Sequence, residues 1–114
     1  MRDDLARVVD IWLACRDTLE FVSGVAEEQY RRDRKLQNAL CRSLEIIGEA
    51  ARTISHEFKA VHPALPWEKM AALRHRIVHE YFRLDLDIIW EIANHDVPAL
   101  LTLLEPLVPP EEPP

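Results

Sequence analysis

The chain has 114 residues, the usual size of one domain, and its 48% apolar and 30% charged residues match an ordinary globular protein; two glycines and 7% aromatics lean away from a turn-rich β architecture. A formal net charge of −6 excludes a protein that coats nucleic acid through bulk charge, so any nucleic-acid role must rest on a local site. The amino terminus leads straight into Asp3 and Asp4, and the longest unbroken apolar run is Ile11 to Cys15, so neither a signal peptide nor a membrane span is expected and a cytoplasmic location follows.

Leu5, Val8, Trp12, Cys15, Leu19, Val22 and Ala26 recur at steps of three and four and predict a first helix from about Asp3 to Ser23, with Gly24 as its end signal. The basic run Arg31-Arg32-Asp33-Arg34-Lys35 follows, a solvated face or a guide for an RNA backbone. Leu36, Leu40, Leu44, Ile47, Ala51, Ile54 and Phe58 then predict one helix of seven or more turns, roughly 40 Å long. Gly48 inside it costs about 1 kcal/mol relative to alanine. Together with Ala51 it would let another helix approach closely, unless it is incidental. Cys15 and Cys41 fall at apolar helical positions with no CxxC pair and read as buried free thiols of a reducing compartment.

Prolines at 63 and 66 make Val61 to Pro66 a loop, with Pro66 able to take the first helical position of a third helix, Trp67 to about Tyr81. Met70, Leu73 and Ile77 would face the core. A fourth helix starts near Asp85 and carries Leu86, Ile89, Ala93, Val97, Leu100, Leu104 and Leu107. Pro98 must kink or restart it, with Asp96 placed to cap the restart. Five of the eight prolines lie from Pro106 onward, so the helix should stop near Leu104 to Leu107, leaving residues 108–114 as a Pro-rich tail after a single helical domain over 1–107. Trp12, Trp67 and Trp90 fall at packing positions, in the core or at a dimer contact, rather than at base-stacking ones. The expected fold is an all-α, up-and-down bundle of four main helices.

The densest polar stretch runs from Arg74 to Arg83, with three arginines, two histidines and one glutamate in ten residues. Arginine clamps anions and histidine exchanges protons near neutral pH, which suits phosphodiester chemistry without a metal. The competing reading is a helix end at which Arg, His and Tyr cap carbonyls and favour the negative pole of the dipole. A metal site is the poorest reading. His75 and His79 stand four apart, but Arg76 holds the place of the zincin glutamate, and no Glu has a His three residues later. On one regular helix Arg74 and His79 diverge by about 140°. Either the helix ends or distorts near His79, or a second copy of the chain completes the site across a two-fold axis.

Arg74, His79 and Tyr81 form an RxxxxHxY motif downstream of Pro66-Trp67 and Met70-x-x-Leu73, and Leu44-Glu45-Ile46-Ile47-Gly48-Glu49-Ala50 precedes them. Together with the Asp85 to Trp90 stretch, these segments resemble HEPN-domain proteins of the HepT type, the toxin half of type VII-like HepT/MntA toxin–antitoxin pairs, over about residues 3 to 107. The resemblance implies a homodimer or higher oligomer acting as a metal-independent endoribonuclease with no cofactor. Arg74 would hold the scissile phosphate and His79 would move a proton as the RNA 2′-hydroxyl attacks, leaving a cyclic phosphate and a 5′-hydroxyl. His75, where such sequences often have Asn, and Arg76 would bind substrate. Tyr81 would be the tyrosine that a minimal nucleotidyltransferase antitoxin modifies with AMP, adding bulk and negative charge to a cleft that must admit RNA. The alternative is a catalytically silent helical dimer that only docks such a nucleotidyltransferase.

Overall fold

In the computed structural model, residues 3–78 and 83–110 are described, and they form eight α-helices, one π-helical turn and one 3₁₀ turn, with no strand among the described residues. Helix α1, Asp4–Val22, begins where the Asp3 carboxylate accepts the Ala6 N–H at 2.8 Å. It ends in a type II turn: Ser23 is extended, Gly24 has φ +72°, and the Val25 N–H donates to the Val22 carbonyl at 3.0 Å. Gly24 is the end signal expected of it. The buried face is not quite the expected one. Val8, Cys15 and Val22 are buried, but so are Ile11, Ala14 and Thr18, while Leu5 and Ala26 are exposed and Trp12 and Leu19 half-buried.

A short helix α2, Glu27–Arg31, precedes α3, Arg34–Thr53, whose start is capped by the Asp33 carboxylate accepting the Leu36 N–H at 3.0 Å. The Gln37 side chain donates to the carbonyls of Tyr30 and Arg31 at 2.9 and 3.2 Å, which locks α2 to α3. The long helix expected through Phe58 is interrupted. Ile54 turns extended, and Ser55 starts a separate helix α4, His56–Val61, by accepting the Phe58 N–H at 3.1 Å. Asp4 holds that break open, since its carboxylate accepts from both the N–H and the hydroxyl of Ser55, at 2.9 and 2.6 Å. A helix running through Ser55 would spend that N–H on Ala51, so the cap and a continuous helix are mutually exclusive.

The third helix is also shorter and divided. Pro66 sits just before helix α5, Trp67–Ala71, rather than inside it. After a non-helical Ala72, helix α6 covers Leu73–Ile77. Met70, Leu73 and Ile77 reach the core as expected. Val78 is extended and pairs with Leu84 in an isolated antiparallel bridge, and the Asp85 N–H donates to the Ile77 carbonyl at 2.8 Å, so the backbone turns away from the helix at once. The expected extension to Tyr81 lies outside the described residues.

Asp85 caps helix α7, Leu86–Glu91, by accepting the Ile88 N–H at 3.0 Å. Ile92–Asp96 is π-helical and leads into α8, Val97–Leu104, followed by a 3₁₀ turn at Glu105–Leu107. Pro98 has no N–H to return to Asn94 and its ring crowds that carbonyl; the wider turn, with the Val97 N–H on the Ile92 carbonyl, relieves the clash. Asp96 is therefore not the cap expected of it; it is helical and its carboxylate faces Arg76 at 3.6 Å.

The four main segments of the bundle are thus α1, α3, the α5–α6 pair and the α7-to-α8 run. Ile11, Leu40, Leu44, Ile47, Ile77, Ile89, Ile92 and Leu104 are fully buried between them. Trp67 is buried and Trp12 and Trp90 pack half-buried against this core. Tyr30 from α2 is also fully buried, stacked on Trp90 at 4.6 Å and donating its hydroxyl to the Leu86 carbonyl at 2.7 Å. The only buried polar pair across α1 and α3 is Thr18 with Ser43, 2.8 Å apart among the described residues.

Candidate functional site

Gly48 determines how closely α5 approaches α3. A Cβ at position 48 would lie 3.1 Å from the Met70 carbonyl oxygen, tighter than ordinary contact, so the close approach read from the sequence is real. That approach sets the first residues of α6 beside the outer face of α3. Between them lies a cleft of 440 Å³, lined by Arg42, Glu45, Gly48, Glu49 and Arg52 from α3 and by Ala71, Arg74 and His75. The Leu44–Ala50 segment and Arg74, 24 to 30 residues apart in sequence, therefore meet in one place.

The cleft carries three arginines against two glutamates, a net of +1 before His75 gains a proton, within an acidic chain. Arg74 is exposed and makes no ion pair among the described residues. The Glu45 carboxylate accepts from the Cys41 thiol at 3.2 Å. Burial, that hydrogen bond and the carboxylate's charge push the Cys41 thiol up to about 12, against the opposing charge of Arg74. Cys41 is therefore no nucleophile at neutral pH. Cys15, buried on α1, is likewise pushed up to about 12 by burial, and both cysteines are free thiols, as expected. Glu49 faces Arg52 at 3.4 Å, with both side chains well exposed.

Arg74 and His75 share this cleft. Arg76 does not: two residues on, it projects to the other flank of α6, pairs with Asp96, and borders a separate apolar cleft with Met70, Leu73, Ile92 and Leu100. His79 and Tyr81 lie outside the described residues. Their described flanks are the paired residues Val78 and Leu84, and α6 ends at Ile77, two residues before His79. The regular helix that a divergence of about 140° assumes thus ends at Ile77. Arg31, within the basic run, is held by Glu27 and Asp87, so part of that run's charge is neutralised. The sequence reading assigned no role to Arg42 or Arg52. Their signal was the charged stripe Arg42, Glu45, Glu49, Arg52, at steps of three and four on one face of α3.

Among the described residues no three His, Cys, Asp or Glu side chains gather to hold a metal ion, and no helix is long and apolar enough to cross a membrane. An all-α fold with a small cleft of net charge +1, lined by three arginines and two glutamates in an acidic body, has the charge to receive an anion at a local site. The comparisons supply the class. The model of the family described as "Ribonuclease HepT-like" matches residues 11–107, and the chain belongs to the HepT-like ribonuclease family. It is 40% identical over 88 residues to "Probable ribonuclease HepT" of Thermococcus cleftensis, covering 77% of this chain and 80% of that protein. It is 34% identical over 107 residues to "Putative RNase MJ0127" of Methanocaldococcus jannaschii, covering 94% and 88%. "Putative RNase TTE0752" of Caldanaerobacter subterraneus is 40% identical over 86 residues, covering 75% and 77%. No solved structure gives a significant match. Family membership supports an RNase activity and RNA as substrate.

Proposed function

We propose that this chain is the endoribonuclease toxin of a HepT/MntA-type pair, its residues 1–107 acting as one helical unit. The observation that carries the reading is Arg74, without an ion pair among the described residues, presented in an arginine-lined cleft by a ribonuclease-family fold. Arg74 holds the scissile phosphate and stabilises the charge that builds on it, with His75 beside it as a further hydrogen-bonding group. His79 takes the proton of the 2′-hydroxyl as its oxygen bonds to phosphorus; the bond from phosphorus to the 5′-oxygen breaks, that oxygen takes a proton from water, and His79 returns its own to solvent. The products are a 2′,3′-cyclic phosphate and a 5′-hydroxyl, and no step needs a metal. A homodimer presents two such sites to one strand of RNA. Arg76, paired with Asp96 across a different cleft, acts on the substrate only indirectly.

Tyr81 is the proposed acceptor of AMP from a minimal nucleotidyltransferase antitoxin. The tyrosyl oxygen bonds to the α-phosphorus of ATP as pyrophosphate leaves, which adds a bulky anion to a protein meant to receive RNA phosphates. The test is cleavage of RNA by the purified protein and by Arg74→Ala and His79→Ala. Each variant should lose about 100-fold or more in kcat, and expression of the wild type alone should arrest growth. A wild-type chain that neither cuts RNA nor arrests growth, yet captures the nucleotidyltransferase, is the silent docking module instead.

A further inference from the structure

Arg42 stands one helix away from Arg74 on the α3 wall of the same cleft, and neither makes an ion pair among the described residues. The third arginine of the cleft, Arg52, is ten residues further along α3, about 15 Å at 1.5 Å per residue, and faces Glu49. Glu45 and Glu49 lie between them on the same stripe, so the positive charge of α3 is divided into two spots. Arg74 lines the same cleft: Leu73, the residue before it, lies 3.7 Å from where a Cβ at Gly48 would stand, and the charge of Arg74 acts on the Cys41 thiol, the neighbour of Arg42. Two guanidinium groups therefore face one cleft of 440 Å³ that Glu45 and Glu49 also line, and neither pairs with a carboxylate among the described residues. Like charges held this way repel each other and favour a ligand with more than one negative centre.

We propose that Arg42 is a second phosphate-binding residue, which holds the RNA phosphate adjacent to the one held by Arg74. The proposal rests on the ribonuclease reading above and adds to it the requirement that the cleft engage two consecutive phosphates of a single strand. Arg42 touches no reacting bond. It sets affinity and the register of the strand, so its removal appears in KM and Kd rather than in kcat. Glu49 works the other way: it occupies Arg52 and repels phosphate, limiting how far the strand is gripped along α3.

The test uses the full-length protein with a fluorescent, uncleavable 2′-O-methyl RNA oligonucleotide, titrated at several salt concentrations, alongside cleavage kinetics on the matching RNA. Arg42→Gln should raise Kd about 10-fold. It should reduce the slope of log K against log salt by about 0.7, the single-strand value for one lost phosphate contact. In cleavage assays KM should rise and kcat should hold. Arg42→Lys should restore the slope but only part of the affinity, and Glu49→Gln should tighten binding about 2- to 5-fold. Arg16→Gln, an exposed arginine on α1 outside the cleft, should change neither. Binding and salt slope unchanged in Arg42→Gln, with Arg74→Ala still inactive, would overturn this proposal and leave the ribonuclease reading standing. A fall in kcat with unchanged KM would also overturn it, by putting Arg42 at the reacting phosphate. A wild-type protein that neither binds the oligonucleotide nor cuts RNA removes both.

Discussion

Replacing Gly48 with alanine tests the packing that builds the cleft. In an unconstrained helix interior the change stabilises by about 1 kcal/mol. Here the new Cβ would sit 3.1 Å from a backbone oxygen, that of Met70, which cannot rotate aside as a side chain would. Helix α5 must shift by a few tenths of an ångström, and overpacking of this kind costs about 1–3 kcal/mol. Set against the gain, the variant should lose about 1 kcal/mol on balance, lowering Tm by roughly 4 °C or more. Because α6 follows α5 with only Ala72 between them, the shift also moves Arg74 relative to Arg42, so kcat/KM should fall even where the protein is folded. Thermal unfolding by circular dichroism and RNA cleavage well below Tm measure the two effects. Gly24→Ala is the contrast: nothing lies within 4 Å of its Cβ, but φ of +72° penalises any L side chain by about 1 kcal/mol, with no effect on cleavage. A Gly48→Ala protein with a Tm raised by the full helix-propensity gain and unchanged kcat/KM would refute the reasoning.

Tyr30→Phe removes the hydrogen bond to the Leu86 carbonyl and should cost about 1 kcal/mol in denaturant unfolding. Burial, outweighing the opposing charge of Arg31, pushes the Tyr30 phenol up to about 12. Because this folded pKa exceeds the unfolded value near 10, the unfolded state loses its proton first and stability should fall between about pH 10 and 12, a dependence that Tyr30→Phe should reduce. Cys15 and Cys41 act in the same sense from the thiol range upward; at pH 8 neither should react with a thiol reagent in the native protein and both should react in urea. The hydrogen bonds from Ser55 hold the Asp4 carboxyl below the usual range, so its contribution is present above the ordinary carboxylate pKa and lost as pH falls through the folded one. Asp4→Asn should flatten that acid limb of the unfolding curve. A double-mutant cycle of Thr18→Val and Ser43→Ala should give a coupling of about 1 kcal/mol, since the two hydroxyls have only two protons for the three bonds that Thr18 and Ser43 are placed to make.

The features legible in the sequence are those set by near neighbours. Asp3 and Asp85 stand where helices were expected to start and accept N–H groups three residues on, Gly24 takes the positive φ of its turn, and Pro98 disturbs the helix around it. Gly48 was legible as either a close approach or an incidental glycine, and the Met70 carbonyl 3.1 Å from its Cβ position decides for the approach. The break at Ser55 was hidden because the group that stabilises it, Asp4, is 51 residues away. Tyr30 was overlooked for a related reason: α2 is too short to show periodicity, and both the carbonyl and the ring that Tyr30 meets belong to α7. In the site, the motif marked Arg74 and placed His75 beside it. It gave Arg76 the same standing, although a residue two places along a helix faces almost the opposite way. Arg42 needed the tertiary structure, since nothing local distinguishes an arginine on a solvated helix face from one lining a cleft with Arg74.

The central claim is a ribonuclease whose chemistry is transfer to the RNA's own 2′-oxygen, and the ends of the products test it most directly. RNA incubated with the purified chain in excess chelator should yield fragments whose masses correspond to 2′,3′-cyclic phosphate and 5′-hydroxyl ends, and a single 2′-deoxy substitution at the cut site should abolish cleavage there. Products bearing 5′-phosphates, cleavage that survives the 2′-deoxy substitution, or activity unchanged in Arg74→Ala and His79→Ala would contradict it.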